Sequence, residues 1–164
     1  MSSVQDMIRY HAEIKESGVT ELVGKNEEVN TNDYGASVAL TIGSDAYSGE
    51  LYEFVFIATE EGDGSVQDSA GWLLIFDADP ATTAGDTSIT AAERKTLVGQ
   101  VEVAASDWIT DANGGSAYVC DKIVSFHAVT SLYLVWFHTD STDLNDAAGN
   151  DEVLEVNIKY RRYV

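Results

Sequence analysis

Along most of the chain, apolar and polar positions alternate with the period of two that marks a half-buried strand. Residues 36–42 set Val38, Leu40 and Ile42 against Ser37, Ala39 and Thr41. Further strands are predicted at 51–59, 72–77, 98–103, 116–124, 132–139 and 153–160. Turn-forming residues separate them: Gly43-Ser44-Asp45, Glu61-Gly62-Asp63-Gly64, Asp111-Ala112-Asn113-Gly114-Gly115, and residues 146–151. One helical turn is expected at 90–97, where Thr90 and Glu93 form a capping box. About seven strands with short connectors predict an all-β fold, an antiparallel β-sandwich or jelly-roll-like domain.

The first residues follow a different pattern. Ser2 and Gln5 read as a capping box, and Val4, Met7, Ile8, His11 and Ile14 form a stripe at helical spacing. Gly18 stands where a left-handed C-cap would stop the helix. The polar stretch after it, 19–34, reads as an extended arm or loop. The expected organisation is an N-terminal helix and arm over residues 1–34, then a β-sandwich domain over 35–164.

Some central strands are apolar on both faces. Residues 51–59 place Leu51, Val55 and Ile57 opposite Tyr52, Phe54 and Phe56. Residues 132–139 place Leu132, Leu134 and Trp136 opposite Tyr133, Val135 and Phe137, and 72–76 repeat the pattern. A sheet with one wet face would alternate, as Leu154, Val156 and Ile158 do against Glu155, Asn157 and Lys159. Something is therefore expected to cover the second face: the N-terminal helix, a long loop, or a neighbouring subunit.

Charge narrows the function classes. The chain has 164 residues with 28 Asp and Glu against 9 Lys and Arg, a net charge of −19. Binding nucleic acid or an anionic membrane rests on cations, so neither is expected as a partner. Between Lys25 and Arg94 there is no cation, while both ends are comparatively basic. A basic end on an acidic body suits docking onto another acidic surface. The 17 residues from Met1 carry Asp6, Arg9, His11, Glu13, Lys15 and Glu16, so no leader peptide is expected there. Cys120 is the only cysteine, which rules out a disulfide within the chain.

Candidate chemistry is sparse. In the acidic loop from Glu61, the position that needs glycine for a calcium loop is Val66 and the position that needs Glu is Trp72. Asp140, Asp143, Asn145, Asp146, Asp151 and Glu152, or Asp77 with Asp79, have no fixed ligand spacing and read as solvated acidic turns. Cys120, His127 and His138 form a conceivable nucleophile and base set, but Cys120 sits in an apolar strand that raises a thiol pKa. His138 reads as a hydrogen-bonded core histidine. Of Trp72, Trp108 and Trp136, the first and last read as core, and Trp108 as the exposed one able to stack on a sugar. No catalytic residue, metal or cofactor is expected.

The order and phrasing of several segments resemble small virion structural proteins of marine tailed phages. These segments are residues 49–64, Trp72–Phe76 with Asp77-Ala78-Asp79-Pro80, residues 111–118, Ser125-Phe126-His127, residues 132–138 and residues 151–160. The resemblance spans residues 35–160 and implies a non-enzymatic capsid decoration or cement protein, made in the host cytoplasm and carried on the virion surface. It further implies a homo-oligomer, typically a trimer, bound to the major capsid protein. In that picture Met7, Ile8, Arg9, Tyr10 and Lys15 are the anchor to the shell. The alternatives are a tail, neck or fibre component, a carbohydrate-binding β-sandwich module, and, third, a hydrolase.

Overall fold

The computed structural model describes residues 12–25, 27–61, 69–111, 115–141, 144 and 151–164. Within these the chain forms ten antiparallel strands in two sheets. They are β1 (Ala12–Val23), β2 (Val38–Thr41), β3 (Tyr47–Glu61), β4 (Gly71–Phe76), β5 (Leu97–Val103), β6 (Ile109–Thr110), β7 (Ser116–Cys120), β8 (Val124–Val129), β9 (Ser131–His138) and β10 (Asp151–Tyr163). One sheet runs β1-β10-β3-β7-β6, with β8 also paired to β3, and the other runs β2-β9-β4-β5.

The pairing is nested. β1 pairs with β10, β2 with β9, β3 with β8 and β4 with β5, so the chain is one long antiparallel ribbon folded back at the β4–β5 connection. Rolling that ribbon brings β10 against β3 and β9 against β4, and the partners alternate between the two sheets. This is jelly-roll order, which buries strand edges that a flat sheet would expose.

The core lies between the sheets. Leu51, Phe54 and Phe56 of β3, Leu73 and Ile75 of β4, and Leu132, Leu134 and Trp136 of β9 are fully buried, with Val156 and Ile158 of β10. Phe56 sits among aromatic neighbours, its ring centroid 6.4 Å from Phe54, 6.1 Å from Tyr118 and 6.4 Å from Trp136. Burial of each such side chain stabilises the fold by about 1.5–3 kcal/mol. Gly71 makes room for this packing, because a Cβ there would lie 2.3 Å from the Trp136 ring.

The expected N-terminal helix is corrected where it can be followed. Residues 12–17 lie in β1, paired from Ala12↔Tyr163 onward, and residues 19–23 of the expected arm continue the same strand. Gly18 does take the left-handed conformation, at φ +71°, but inside a bulge of β1 instead of at a helix end. There the Ser17 hydroxyl accepts the Ile158 N–H at 2.8 Å, replacing a carbonyl of the ladder. The physical reason is tertiary: the 13-residue β10 offers a full ladder of partners, which outweighs a weak local helix preference. Residues 1–11 lie outside the described residues, and with them Val4, Met7, Ile8, Arg9 and Tyr10.

A second correction concerns β3. Lys159 pairs with Glu53 but Tyr160 pairs with Leu51, so Tyr52 is an extra residue in a bulge. The bulge shifts the face count, and Leu51 joins Phe54 and Phe56 in the core while Val55 and Ile57 turn outward, half-buried. The predicted strand 116–124 also divides. β7 pairs with Phe54–Ala58 of β3 and β8 with Tyr47–Leu51, and β8 carries the chain to β9 through Thr130 alone.

Candidate functional site

The second apolar faces have two different fates. On the four-stranded sheet, Leu74, Phe76 and Val135 point away from the main core and form a separate cluster with Ile89, flanked by Tyr34, Trp72, Tyr133 and Phe137. Their cover is the long β4–β5 connection, residues 77–96. Asp77 N–H to Thr96 carbonyl, 2.9 Å, closes its base. Tyr34 ties it down, donating its N–H to Asp86 carbonyl at 2.7 Å and accepting from Gly85 N–H at 3.0 Å. Near its end lies α1 (Ala91–Arg94), held by the predicted capping box: Glu93 N–H to Thr90 Oγ1 at 3.2 Å and Thr90 N–H to the Glu93 carboxylate at 2.5 Å. Of the three expected covers, the long loop is the one in place on this face.

The cover is incomplete. A shallow groove of about 380 Å³ remains beside it, lined by Tyr34, Trp72, Leu74, Ile89, Arg94, Leu97, Gln100 and Phe137. The strand register builds it in rows. Phe137 and Glu102 flank Trp72, and Val135 and Gln100 flank Leu74. The Tyr34 ring lies tilted by 35° against Phe137, with centroids 4.7 Å apart. The expected exposure of the tryptophans is corrected here. Trp108 is buried, at 8% exposure, with its indole N–H donated to the Ser69 carbonyl at 3.1 Å, and Trp72 is the half-exposed one. A short polar loop around Trp108 reads as surface in sequence, but the indole needs only one acceptor to turn inward.

On the six-stranded sheet no loop crosses the second face among the described residues. The β10–β3 seam of that face carries cross-strand ion pairs, Lys159 with Glu53 at 2.5 Å and Arg161 with Glu50 at 3.2 Å. Beyond Glu53, the part of the face shared by β3, β7 and β6 is apolar. Ile57 pairs with Ala117 and Ala117 with Ile109, and Val55 pairs with Val119. Ile109 is 81% exposed and Val119 58%.

The basic C-terminal end is occupied within the molecule. Arg162 donates from Nε to Glu13 at 2.7 Å and from Nη1 to the Ile42 carbonyl at 2.6 Å, and its guanidinium lies 4.3 Å from the Tyr47 ring centroid. Lys15, the one described member of the expected anchor, faces Glu13 at 3.6 Å. The Arg162 hydrogen bond, opposed in part by burial and aided by the Arg162 and Lys15 charges, holds the Glu13 carboxyl below the usual glutamate range.

The expected chemistry candidates are scattered. Cys120 pairs with Phe54 of β3, whereas His127 bonds through Nδ1 to the Ser48 hydroxyl at 2.8 Å, six positions away along that strand and so about 20 Å off. His138 is fully buried in the other sheet and accepts the Trp136 indole N–H at 3.4 Å, as expected of a core histidine. The Tyr118 hydroxyl is pushed up to about 12, first by its hydrogen bond with Cys120 and then by burial. Asp79 caps its own turn, accepting from Ser37 Oγ and Ala81 N–H. Among the described residues no group of three or more His, Cys, Asp or Glu gathers as metal ligands. The acidic segments 62–68 and 145–150, and with them Asn145 and Asp146, lie outside the described residues, as does Asp143.

No family model matches the chain, and no curated protein matches it. Among solved structures it is similar to dimeric latent PorU from Porphyromonas gingivalis, at 12% identity and a TM-score of 0.38, over 93% of this chain. The chain spans 13% of the PorU chain. It is also similar to a chain of the full particle of Israeli acute paralysis virus, at 9% identity and a TM-score of 0.31, over 100% of this chain and 81% of that one. Both TM-scores are below 0.5.

Proposed function

We propose that this is a non-enzymatic virion structural protein, a decoration or cement protein that adds to the outside of a phage shell as a homo-oligomer. The observation that carries the reading is the apolar patch of Ile109, Val119, Ala117, Val55 and Ile57 on a chain of net charge −19. Acid elsewhere keeps such a molecule soluble, and a charge-poor apolar face in its midst is the kind of surface that association buries. Salt shortens the reach of repulsion between acidic copies to about 10 Å at 0.1 M and about 3 Å at 1 M, so close contact becomes affordable. A protein that binds assembled shell and not free subunits stabilises the shell by mass action. The trimer and the major capsid protein as partner come from the resemblance of residues 35–160 to phage virion proteins.

The anchor at Met7, Ile8, Arg9, Tyr10 and Lys15 keeps its place in the proposal, with Lys15 half-exposed on β1 beside Glu13. The test is co-sedimentation with phage heads that lack the protein. Truncation must stop at residue 11, since a deletion through residue 18 would strip Ala12–Glu16 from β10. The full chain is expected to pellet with the heads. Loss of pelleting on deleting residues 1–11, or in an Ile109→Lys/Val119→Lys variant, assigns the contact. Failure of the full chain to pellet overturns the shell reading.

A further inference from the structure

We infer that the groove beside Trp72 is a binding site for a neutral saccharide. The inference is independent of the assembly reading, which uses the opposite sheet. The groove joins two features that sugars require together. Trp72, Phe137 and Tyr34 give an aromatic, half-exposed floor, the surface on which the C–H face of a pyranose packs. Arg94 and Gln100 stand at the exposed rim with N–H donors, and Gln100 also brings an amide oxygen as acceptor. An apolar floor with a few polar groups on one side is the composition of a small-molecule site.

Charge and size select the occupant. Arg94 is the one charged side chain among the lining residues, and exposed Glu102 flanks Trp72 at the edge, so the two charges offset each other and the groove offers no net counter-charge to a cation or an anion. A polyanion would meet Arg94 but would also meet a body of net charge −19. A neutral, hydroxyl-rich ligand avoids both costs. A volume of about 380 Å³ is at the small end of ligand sites, which span roughly 300–1,000 Å³, and suits a few sugar rings better than a protein face.

Tryptophan emission tests this directly, because Trp136 and Trp108 are buried and a ligand-dependent change reports Trp72. The full chain would be titrated with cellohexaose, laminarihexaose, chitohexaose and mannohexaose, with polygalacturonate and a neutral Leu- and Phe-bearing peptide as controls. The expected result is a saturable change with at least one neutral hexasaccharide, and protection of that emission from acrylamide. Trp72→Ala should weaken binding at least about tenfold, measured by calorimetry. Arg94→Ala and Gln100→Ala, both at exposed positions that leave packing alone, should each weaken it about two- to tenfold. No response to any neutral hexasaccharide at millimolar concentration overturns the inference. So does binding that the rim variants leave unchanged, or binding of the peptide or polygalacturonate alone.

Discussion

The outer faces of the two sheets begin from the same sequence pattern and end differently. β4 and β9 are apolar on both sides, and the chain buries the second side itself, by laying residues 77–96 across it and locking them with Tyr34 and the Thr90 cap. β3 is also apolar on both sides, yet its outward Val55 and Ile57 have only sheet neighbours along the surface among the described residues, Ala117, Val119 and Ile109 on one side and Asn157 and Glu155 of β10 on the other. Long strands apolar on both faces therefore do not by themselves say what covers them. The deciding feature is the connection: 20 residues between β4 and β5 suffice for a cover, whereas the β7–β8 link at Asp121–Ile123 is too short to reach over anything.

The largest expected effect separates the two faces by stability. Phe76→Ala, at a position with no solvent exposure under the loop, should cost about 3–5 kcal/mol in denaturant unfolding. Val55→Ala on the other face should cost under about 1 kcal/mol, since the residue is half-buried and the site is open to water. Equal costs would mean that the face of the six-stranded sheet is covered as well. A smaller effect tests the lock on the cover. Thr90→Ala should lose about 1 kcal/mol and raise hydrogen exchange in residues 89–96 while leaving β10 protected; unchanged exchange there would show that the cap is not what holds the loop.

The smallest effect lies in two ion pairs of β10, Arg162 with Glu13 on its core side and Lys159 with Glu53 on its outer side. The Glu13 carboxyl has a folded pKa below its unfolded value. Its contribution is therefore complete above the ordinary glutamate range, near 4.3, and is lost as pH falls through the folded value. At the other end, the hydrogen bond and charge of Glu53 raise the Lys159 amine, so that contribution is present at neutral pH and is lost as pH rises through the folded value. Glu13→Gln should flatten the acid limb of the stability curve and leave the alkaline limb unchanged. A parallel fall in both limbs would show that Glu13 acts through packing.

Legibility in the sequence followed the reach of each cause. Period-two alternation located β2, β5 and β10, and short continuous apolar runs located β4 and β9, because burial is a local signal; the Thr90–Glu93 box located α1 because a cap is made within four residues. β1 was hidden because its reason for being a strand lies more than 130 residues away in β10, while its own apolar spacing suits a helix. The Tyr52 bulge was hidden for the same cause, as nothing in residues 51–57 alone says where the register slips. Among the candidate site residues, the core role of His138 was legible from its apolar neighbours. The exchange of roles between Trp72 and Trp108 was not, because it depends on how far residues 77–96 extend over the sheet and on one acceptor at Ser69.

The central claim is that the open apolar patch is an association surface, and solution mass measures that most directly. Light scattering of the full chain, in dilute buffer and in 0.5 M salt, is expected to give an oligomer of the 17.7 kDa chain, with three copies favoured as salt rises. The Ile109→Lys/Val119→Lys variant is expected to give a folded monomer under the same conditions. A wild-type monomer in both salts, or a variant that keeps the wild-type mass, would contradict the claim.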